Sequence, residues 1–586
     1  MIVPRRLALL LVLVVACKHG KPHPHEAKPD KLPTEPWRTE TSDYHVDPSV
    51  VGTGKTFVVA SESPQATKVG HDVLAAGGNA VDAVVATAFA MAVTHPSAGN
   101  LGGGGFAVVR AGKGNHLALD FREVAPGAAT DTMYLDAQGK PTKDSLFGDR
   151  AAGVPGTVAG LWALHEKLGK KPWKELVAPA IALARDGFAV DGFLHASIER
   201  RKDFLAKNPA TAAIWVPNGK PRETGEIVKI PELQAALERI ADKGADGFYK
   251  GPTAQAIVDE MKRGGGIITA KDLEDYKPEW RQPIELDYRG HHITTMPLPS
   301  SGGVVMAMSA NMLRDVDLAK LGWHSAQHIH WLVEVWRRAF AARNILLADP
   351  AFVKEDPVAR LVSKAFDDKL AATIGPKATP SQEVPALLEG NHTTNISVVD
   401  KDGMAVALTY TLNLAFGSGV TVPGAGFLLN DEMDDFAAKP GSPNAFGLVQ
   451  GAADKIEPGK RPLSSMTPTL VEDSSGQLFM VVGAGGGPRI ITAVWQTISN
   501  VIDFHLDIDA AVAAPRVHHQ HEPDVIKVEA DAITKNTEKE LRAMGYKVDW
   551  GQPPREFGAV TAILGVPSGG WKGTADPRGG GAAMGD

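Results

Sequence analysis

Hydrophobic and polar positions change rhythm several times along this chain, and each rhythm predicts a kind of element. From Leu7 to Ala16 the sequence is apolar for ten residues without a break, behind the basic pair Arg5-Arg6. Such a run is too short to span a bilayer and matches the hydrophobic region of a signal peptide. Lys18 to about Asp47 has almost nothing to bury and is rich in Pro, Lys and His, which predicts an extended tether. The body opens near Thr56 with a strand-like stretch. Ser63-Pro64 then start a helix with Val69, Val73 and Leu74 at helical spacing, ended by Gly77-Gly78. A second, more apolar helix follows from Asn79. Within it Asp82 precedes Ala83 to Val93 and Thr87 interrupts that run, so a buried core helix is expected there instead of a membrane span.

A glycine loop, Gly102 to Gly105, feeds the next strand. Amphipathic patterns predict helices over Val158 to Leu168, Trp173 to Asp186 and Ser325 to Leu347. Strand patterns dominate again from Asn395 to about Val482, before a helix over Arg489 to Asp503. The alternation from Asn395 to Val399 predicts a strand with one buried face, and the turn-forming Asp402-Gly403 joins it to a second strand, Ala405 to Thr411. No internal repeat is found. Strands and helices interleave, so the expected body is a layered α/β or α+β fold.

Composition narrows this picture in two places. At 586 residues, length alone suggests three or four domains or one large layered fold. A net charge of -7 gives no global basic footprint and argues against a nucleic-acid partner. Cys17 is the only cysteine, so no disulfide can form within the chain. Its setting, Val14-Val15-Ala16-Cys17, resembles a bacterial lipobox. Residues 1–16 are therefore expected to be a lipoprotein signal peptide, and residues 17–50 a lipidated cysteine followed by its tether. The expected location is extracytoplasmic, anchored by lipid to a bacterial membrane. An ordinary signal peptide with a chance Cys is the bland alternative.

Several familiar motifs fail on inspection. Gly52-Thr53-Gly54-Lys55-Thr56 resembles the end of a phosphate-binding loop, but Ser49 stands where its first Gly belongs. Gly102 to Gly105 precede a strand, the wrong order for a dinucleotide fold. No G-x-S-x-G elbow occurs. His518 to Glu522 (HHQHE) offers imidazoles for a metal, yet at uneven spacing that favours a structural role. His324 and His328 lie four apart but lack the intervening Glu of a zinc-protease helix.

One feature calls for chemistry: the pair Thr393-Thr394 at the mouth of the predicted hairpin, with no His or Lys in the strand to activate a hydroxyl. A threonine that is itself N-terminal needs neither, because its own α-amine can take the proton. That amine titrates near pH ~8, which suits a general base. An internal threonine gains it only if the preceding peptide bond, His392–Thr393, is cut.

The ordered motifs TTNISVVDKDGMAVALTYTLN, FLLNDEMDDFAAKPG, KRPLSSMTPTL and GAGGGPRIIT resemble those of the gamma-glutamyltransferases. GGNAVDAVVAT, THPSAGNLGGGGF, LDFREVAP, GVPGTVAGL and LARDGF extend the likeness upstream. It runs from about Thr56 to the TADPR near the end. The resemblance implies an α+β fold, a four-layer αββα sandwich of the N-terminal-nucleophile hydrolase type. It also implies a proenzyme that cuts itself into a large subunit, 51–392, and a small subunit, 393–586, which stay associated as a heterodimer.

The same resemblance assigns roles. Thr393 is the nucleophile, Thr411 orients it, and Gly486 and Gly487 hold the oxyanion. Arg122 takes the donor's α-carboxylate, and Glu432 and Asp435 its α-ammonium. Asn413, Ser464 and Ser465 complete the shell, and Phe446 sits on a lid loop, Lys439 to Pro462. Taken singly each has a plain structural reading: Arg122 pairing with Glu123, Asp431 to Asp435 as a solvated turn, the serines as strand residues, the glycines as a tight turn. The implied partners are glutathione or other γ-glutamyl compounds, with water, amino acids or dipeptides as acceptors; no metal or organic cofactor is needed. Five positions depart from the common family pattern: His392 before the cut, Asn395 for a usual His, Glu432 for a frequent Gln, Phe446 for a gating Tyr, and Pro488 for a frequent Ser. The rival expectations are a cephalosporin or glutaryl acylase of the same fold, and an inactive peptide-binding lipoprotein.

Overall fold

The computed structural model describes residues 47–380, 393–550 and 554–586. The expected signal peptide, Cys17, most of the expected tether and His392 lie outside these residues. Among the described residues no helix is long and apolar enough to cross a membrane.

Fourteen strands build two sheets. The first seven are β1 (Val51–Gly54), β2 (Val58–Ser61), β3 (Gly104–Gly112), β4 (Asn115–Phe121), β5 (Glu279–Arg281), β6 (Ile284–Tyr288) and β7 (His291–Thr295). Then come β8 (Thr393–Val399), β9 (Ala405–Thr411), β10 (Thr469–Glu472), β11 (Leu478–Gly485), β12 (Ala559–Gly565), β13 (Trp571–Ala575) and β14 (Ala582–Gly585). One sheet runs β1-β13-β12-β11-β10-β7-β6 and the other β14-β2-β8-β9-β3-β4-β5. Every neighbouring pair in both is antiparallel.

Helices α1 (Pro64–Ala75), α2 (Ala80–Thr94) and α3 (Thr157–Leu168) cover the outer face of the second sheet, with α4 (Trp173–Asp186) packed on α2. On the first sheet lie α5 (Gly302–Leu313) and α7 (Arg489–Ile502), with α6 (Ala326–Leu346) packed on α5. The result is the αββα sandwich, a single layered body in which both sheets take strands from before and after Thr393.

Local chemistry sets the helix starts. The Ser63 side chain caps α1, and Asn79 and Asp82 form a reciprocal capping box at α2. All of α2 is buried, Asp82 and Thr87 included, as its mostly apolar sequence implies. In α1 the buried stripe is Ala66, Thr67, Gly70 and Leu74, while Val69 and Val73 are only half-buried. Small residues face inward because α2 passes close by: a Cβ on Gly70 would lie 2.2 Å from Thr87 Oγ1.

The structure corrects the expectation of one buried face for Asn395 to Val399: every residue of β8 and β9 is buried. Ile396, Val398, Val406, Leu408 and Tyr410 pack toward the helices, whereas Val399, Ala405 and Ala407 join the core between the sheets. By the period of two, Thr393, Asn395, Ser397, Thr409 and Thr411 share that inner face. Its polar residues meet the opposite sheet instead of water. The expected run of strands to Val482 is likewise interrupted, since residues 412–468 hold only two short 3₁₀ turns and isolated bridges.

Candidate active site

Thr393 and Thr411 face each other in register at the open end of the β8–β9 hairpin, with their hydroxyl oxygens 3.2 Å apart. Thr411 Oγ1 accepts the Asn413 N–H at 2.8 Å. Asn413 turns the chain out of β9 with φ 77, a conformation that Asn tolerates better than most residues. Its Nδ2 donates to the Asp431 carbonyl at 3.0 Å. Behind Thr393, Gly485 ends β11 with no room for a side chain: a Cβ there would sit 1.7 Å from the Thr393 carbonyl oxygen. Gly486 and Gly487 follow with φ 139 and 57 and lead into α7. Both conformations favour glycine.

One cavity brings the predicted residues together. Its lining includes Arg122, Thr393, Thr411, Asn413, Glu432, Asp435, Phe446, Ser464, Ser465 and Gly487. Gly486 lies one residue behind this wall. Arg122 is fully buried; Nη1 donates to Glu432 Oε1, Nη2 to Asp435 Oδ2, and Nε to the Pro462 carbonyl at 3.3 Å. Glu123 stands 3.6 Å from Nη1, with neither carboxyl oxygen hydrogen-bonded. The acidic run is therefore no solvated turn, because Asp431, Glu432, Asp434 and Asp435 are all buried. Ser464 Oγ accepts the Met466 N–H at 3.1 Å, which leaves its own proton to donate. Its backbone is fixed between Pro299 and Ser301.

The electrostatics follow from crowding acids around one base out of water. Desolvation opposes the Arg122 charge, but Glu432, Asp435 and Glu123 outweigh it and hold the guanidinium protonated. Burial pushes the Glu123 carboxyl up to about 7, against the pull of Arg122, and pushes Glu432 upward for the same reason. Asp431 also rises through burial. One buried cation thus sits among three buried acidic side chains, Glu123, Glu432 and Asp435.

The sequence reading missed several lining residues: Arg343, Leu448, Met466 and Ile490. Arg343 comes from α6, where it shares the buried face with Trp336, Ala339 and Phe340. Its Nη1 donates to Gln450 Oε1 at 2.8 Å, and burial lowers its pKa to about 10, still charged at neutral pH. A cation on an otherwise apolar helix stripe was the available signal.

The departures sort by position. Asn395 does not line the cavity; its amide lies 2.7 Å from both Thr409 Oγ1 and Thr561 Oγ1, tying the sheets together. Pro488 and Phe446 do line it, and the Phe446 ring lies against Gly487, where a Cβ would approach its Cδ1 to 2.7 Å. His518 is engaged by Thr492 and Gln520, while His519 faces Asp524, so the HHQHE imidazoles serve separate contacts. His324 and His328 are buried beside Trp323 and Phe504.

Comparison with known proteins agrees with this geometry. The family model for gamma-glutamyltranspeptidase matches residues 66–586. A glutathione hydrolase proenzyme from Pseudomonas aeruginosa is 47% identical over 543 residues, covering 90% of this chain and 94% of that protein. The crystal structure of a cephalosporin acylase from Bacillus halodurans matches with TM-score 0.81 at 26% identity, over 92% of this chain and 97% of that one. That of Helicobacter pylori gamma-glutamyltranspeptidase matches with TM-score 0.53 at 41% identity, over 54% of this chain and 91% of the other. Fold, site and the match over most of its length together place this chain in the gamma-glutamyltranspeptidase family.

Proposed function

We propose that this protein is a self-processing gamma-glutamyltransferase with glutathione hydrolase activity. The carrying observation is the buried Arg122, flanked by Glu432 and Asp435, in one cavity with the Thr393–Thr411 pair. A glutamyl head presents an α-carboxylate and an α-ammonium. The first takes the guanidinium fork and the second the surrounding acids. Cleavage of His392–Thr393 frees the Thr393 α-amine. Thr393 Oγ attacks the γ-carbonyl carbon while that amine accepts the hydroxyl proton. The N–H groups of Gly486 and Gly487, near the start of α7, stabilise the tetrahedral oxyanion. Collapse breaks the C–N bond, the leaving amine takes the proton, and a γ-glutamyl ester remains. Water or an acceptor amine then attacks that ester and restores Thr393. Thr411, Asn413, Ser464 and Ser465 orient the reacting groups, and Phe446 closes the lid side. The chain would act as a large and a small subunit, held by a lipid on Cys17 at an extracytoplasmic membrane face.

The acylase reading draws support from the fold shared with the Bacillus halodurans enzyme. A glutaryl group has no α-ammonium, so its carboxylate would compete with Glu432 and Asp435 for Arg122 without offering them a cation in return. The test uses purified protein, γ-glutamyl-p-nitroanilide and glutaryl-p-nitroanilide. Wild type should give a fragment beginning Thr-Thr-Asn-Ile and prefer the γ-glutamyl anilide. Thr393→Ala should stay one polypeptide and lose more than about a thousandfold in kcat/KM. Full turnover by an uncut chain, or preference for the glutaryl anilide, would sink the proposal.

A further inference from the structure

Away from the cavity, His116 on β4 of one sheet meets Glu285 on β6 and His292 on β7 of the other. His116 Nδ1 lies 3.4 Å from Glu285 Oε1, and His292 Nε2 lies 3.8 Å from Glu285 Oε2. One donor atom from each of the three residues falls within 4.8 Å of the other two. Tetrahedral zinc with bonds near 2.0–2.1 Å needs donors about 3.3 Å apart, so modest side-chain rotation closes the set.

The opposite faces of the imidazoles carry the stronger evidence. His116 Nε2 is 3.4 Å from Glu472 Oε2, and His292 Nδ1 is 3.1 Å from Asp287 Oδ1. Each ring thus turns one nitrogen to the shared centre and the other toward a carboxylate, in hydrogen-bond contact for His292 and in proximity only for His116, close to the arrangement that orients metal-binding histidines. His116 is nearly buried, with its side chain 5% exposed, and its Nε2 makes no aligned hydrogen bond. Glu285 and His292 are 43% and 35% exposed, which leaves an approach from solvent. Among the described residues no arginine or lysine pairs with Glu285 or Asp287. Arg110, which pairs with Glu472 Oε1 at 2.5 Å, spends its other nitrogens on the Gly403 and Gly476 carbonyls. Glu285 and Asp287 face the imidazoles of His116 and His292.

We propose that His116, Glu285 and His292 bind a first-row divalent ion of the zinc class, clamping the two sheets at this rim. Two imidazoles and one carboxylate select such an ion over calcium or magnesium, which prefer oxygen donors. A fourth position remains for water.

The experiment loads the full chain with Zn²⁺, dialyses it, and counts bound metal by mass spectrometry beside His292→Ala and the conservative Glu285→Gln. His19, His23 and His25 of the tether contribute equally to all three proteins, so the difference between them is read. Wild type should retain one more equivalent of zinc than either variant, and Zn²⁺ should raise its Tm by several degrees while leaving Glu285→Gln unmoved. Asp287→Asn should bind about tenfold more weakly. Circular dichroism verifies that each variant folds. Equal zinc in wild type and both variants would overturn the proposal, as would equal stabilisation by Mg²⁺, which would mark the cluster as simple ion pairing.

Discussion

Arg110 and Arg122 stand at opposite ends of the paired strands β3 and β4, both buried, and the difference between them separates scaffold from site. Arg110 is saturated by one carboxylate and two backbone carbonyls, and it joins the β10 end to the hairpin turn. Arg122 also has partners, but both Nη atoms go to carboxylates that line a cavity, with a third acid, Glu123, 3.6 Å from Nη1. Carbonyl oxygens cannot change charge or leave, so Arg110 has no freedom to exchange. The partners of Arg122 line the cavity, where an entering group offering the same charges would meet them, and the proposed role of this end rests on that.

The sharpest way to break this contrast is to shorten both forks. Arg122→Lys should lower kcat/KM for a γ-glutamyl anilide by about a hundredfold, the equivalent of ~3 kcal/mol in charged hydrogen bonds. Arg110→Lys should leave kcat/KM within about twofold and instead cost ~1–3 kcal/mol in urea unfolding. If Arg110→Lys were the more damaging to turnover, the assignment of the two ends would be reversed.

A smaller effect comes from Glu123. Its folded carboxyl sits at about 7, against 4.5 for an ordinary glutamate, so the fold favours the protonated form. That contribution is complete below 4.5 and fades as pH rises to about 7. Glu123→Gln stays neutral throughout. Its stability relative to wild type should therefore climb across that window, as urea midpoints at several pH values would reveal; a constant offset would contradict the burial that raises this carboxyl. The smallest change is expected for Phe446→Tyr, which adds one hydroxyl beside Gly487 and should move kcat/KM by no more than about threefold.

Much of this was legible in the sequence because the signals were local. Ser63 and Asn79 announce their helices, and Asp402-Gly403 announces the hairpin that sets Thr393 opposite Thr411. The motif resemblance gathered Arg122, Glu432, Asp435, Ser464 and Ser465 into one pocket, where the structure also places them. What failed was non-local. Nothing between Asn395 and Val399 says that a second sheet covers the polar face, so those residues looked half-solvated. Arg343 reaches the cavity only because α6 packs across α5, and the His116 cluster exists only because the two sheets are stacked. Single-chain periodicity carries no trace of either contact.

The interleaving of strands has a last consequence. A nick before Thr393 leaves β8 and β9 wedged between β2 and β3, and β10 to β13 between β7 and β1. Neither piece owns either of the two seven-stranded sheets. Dilution alone should not separate them, and the severed halves should melt in one cooperative step, like the staves and hoops of one cask.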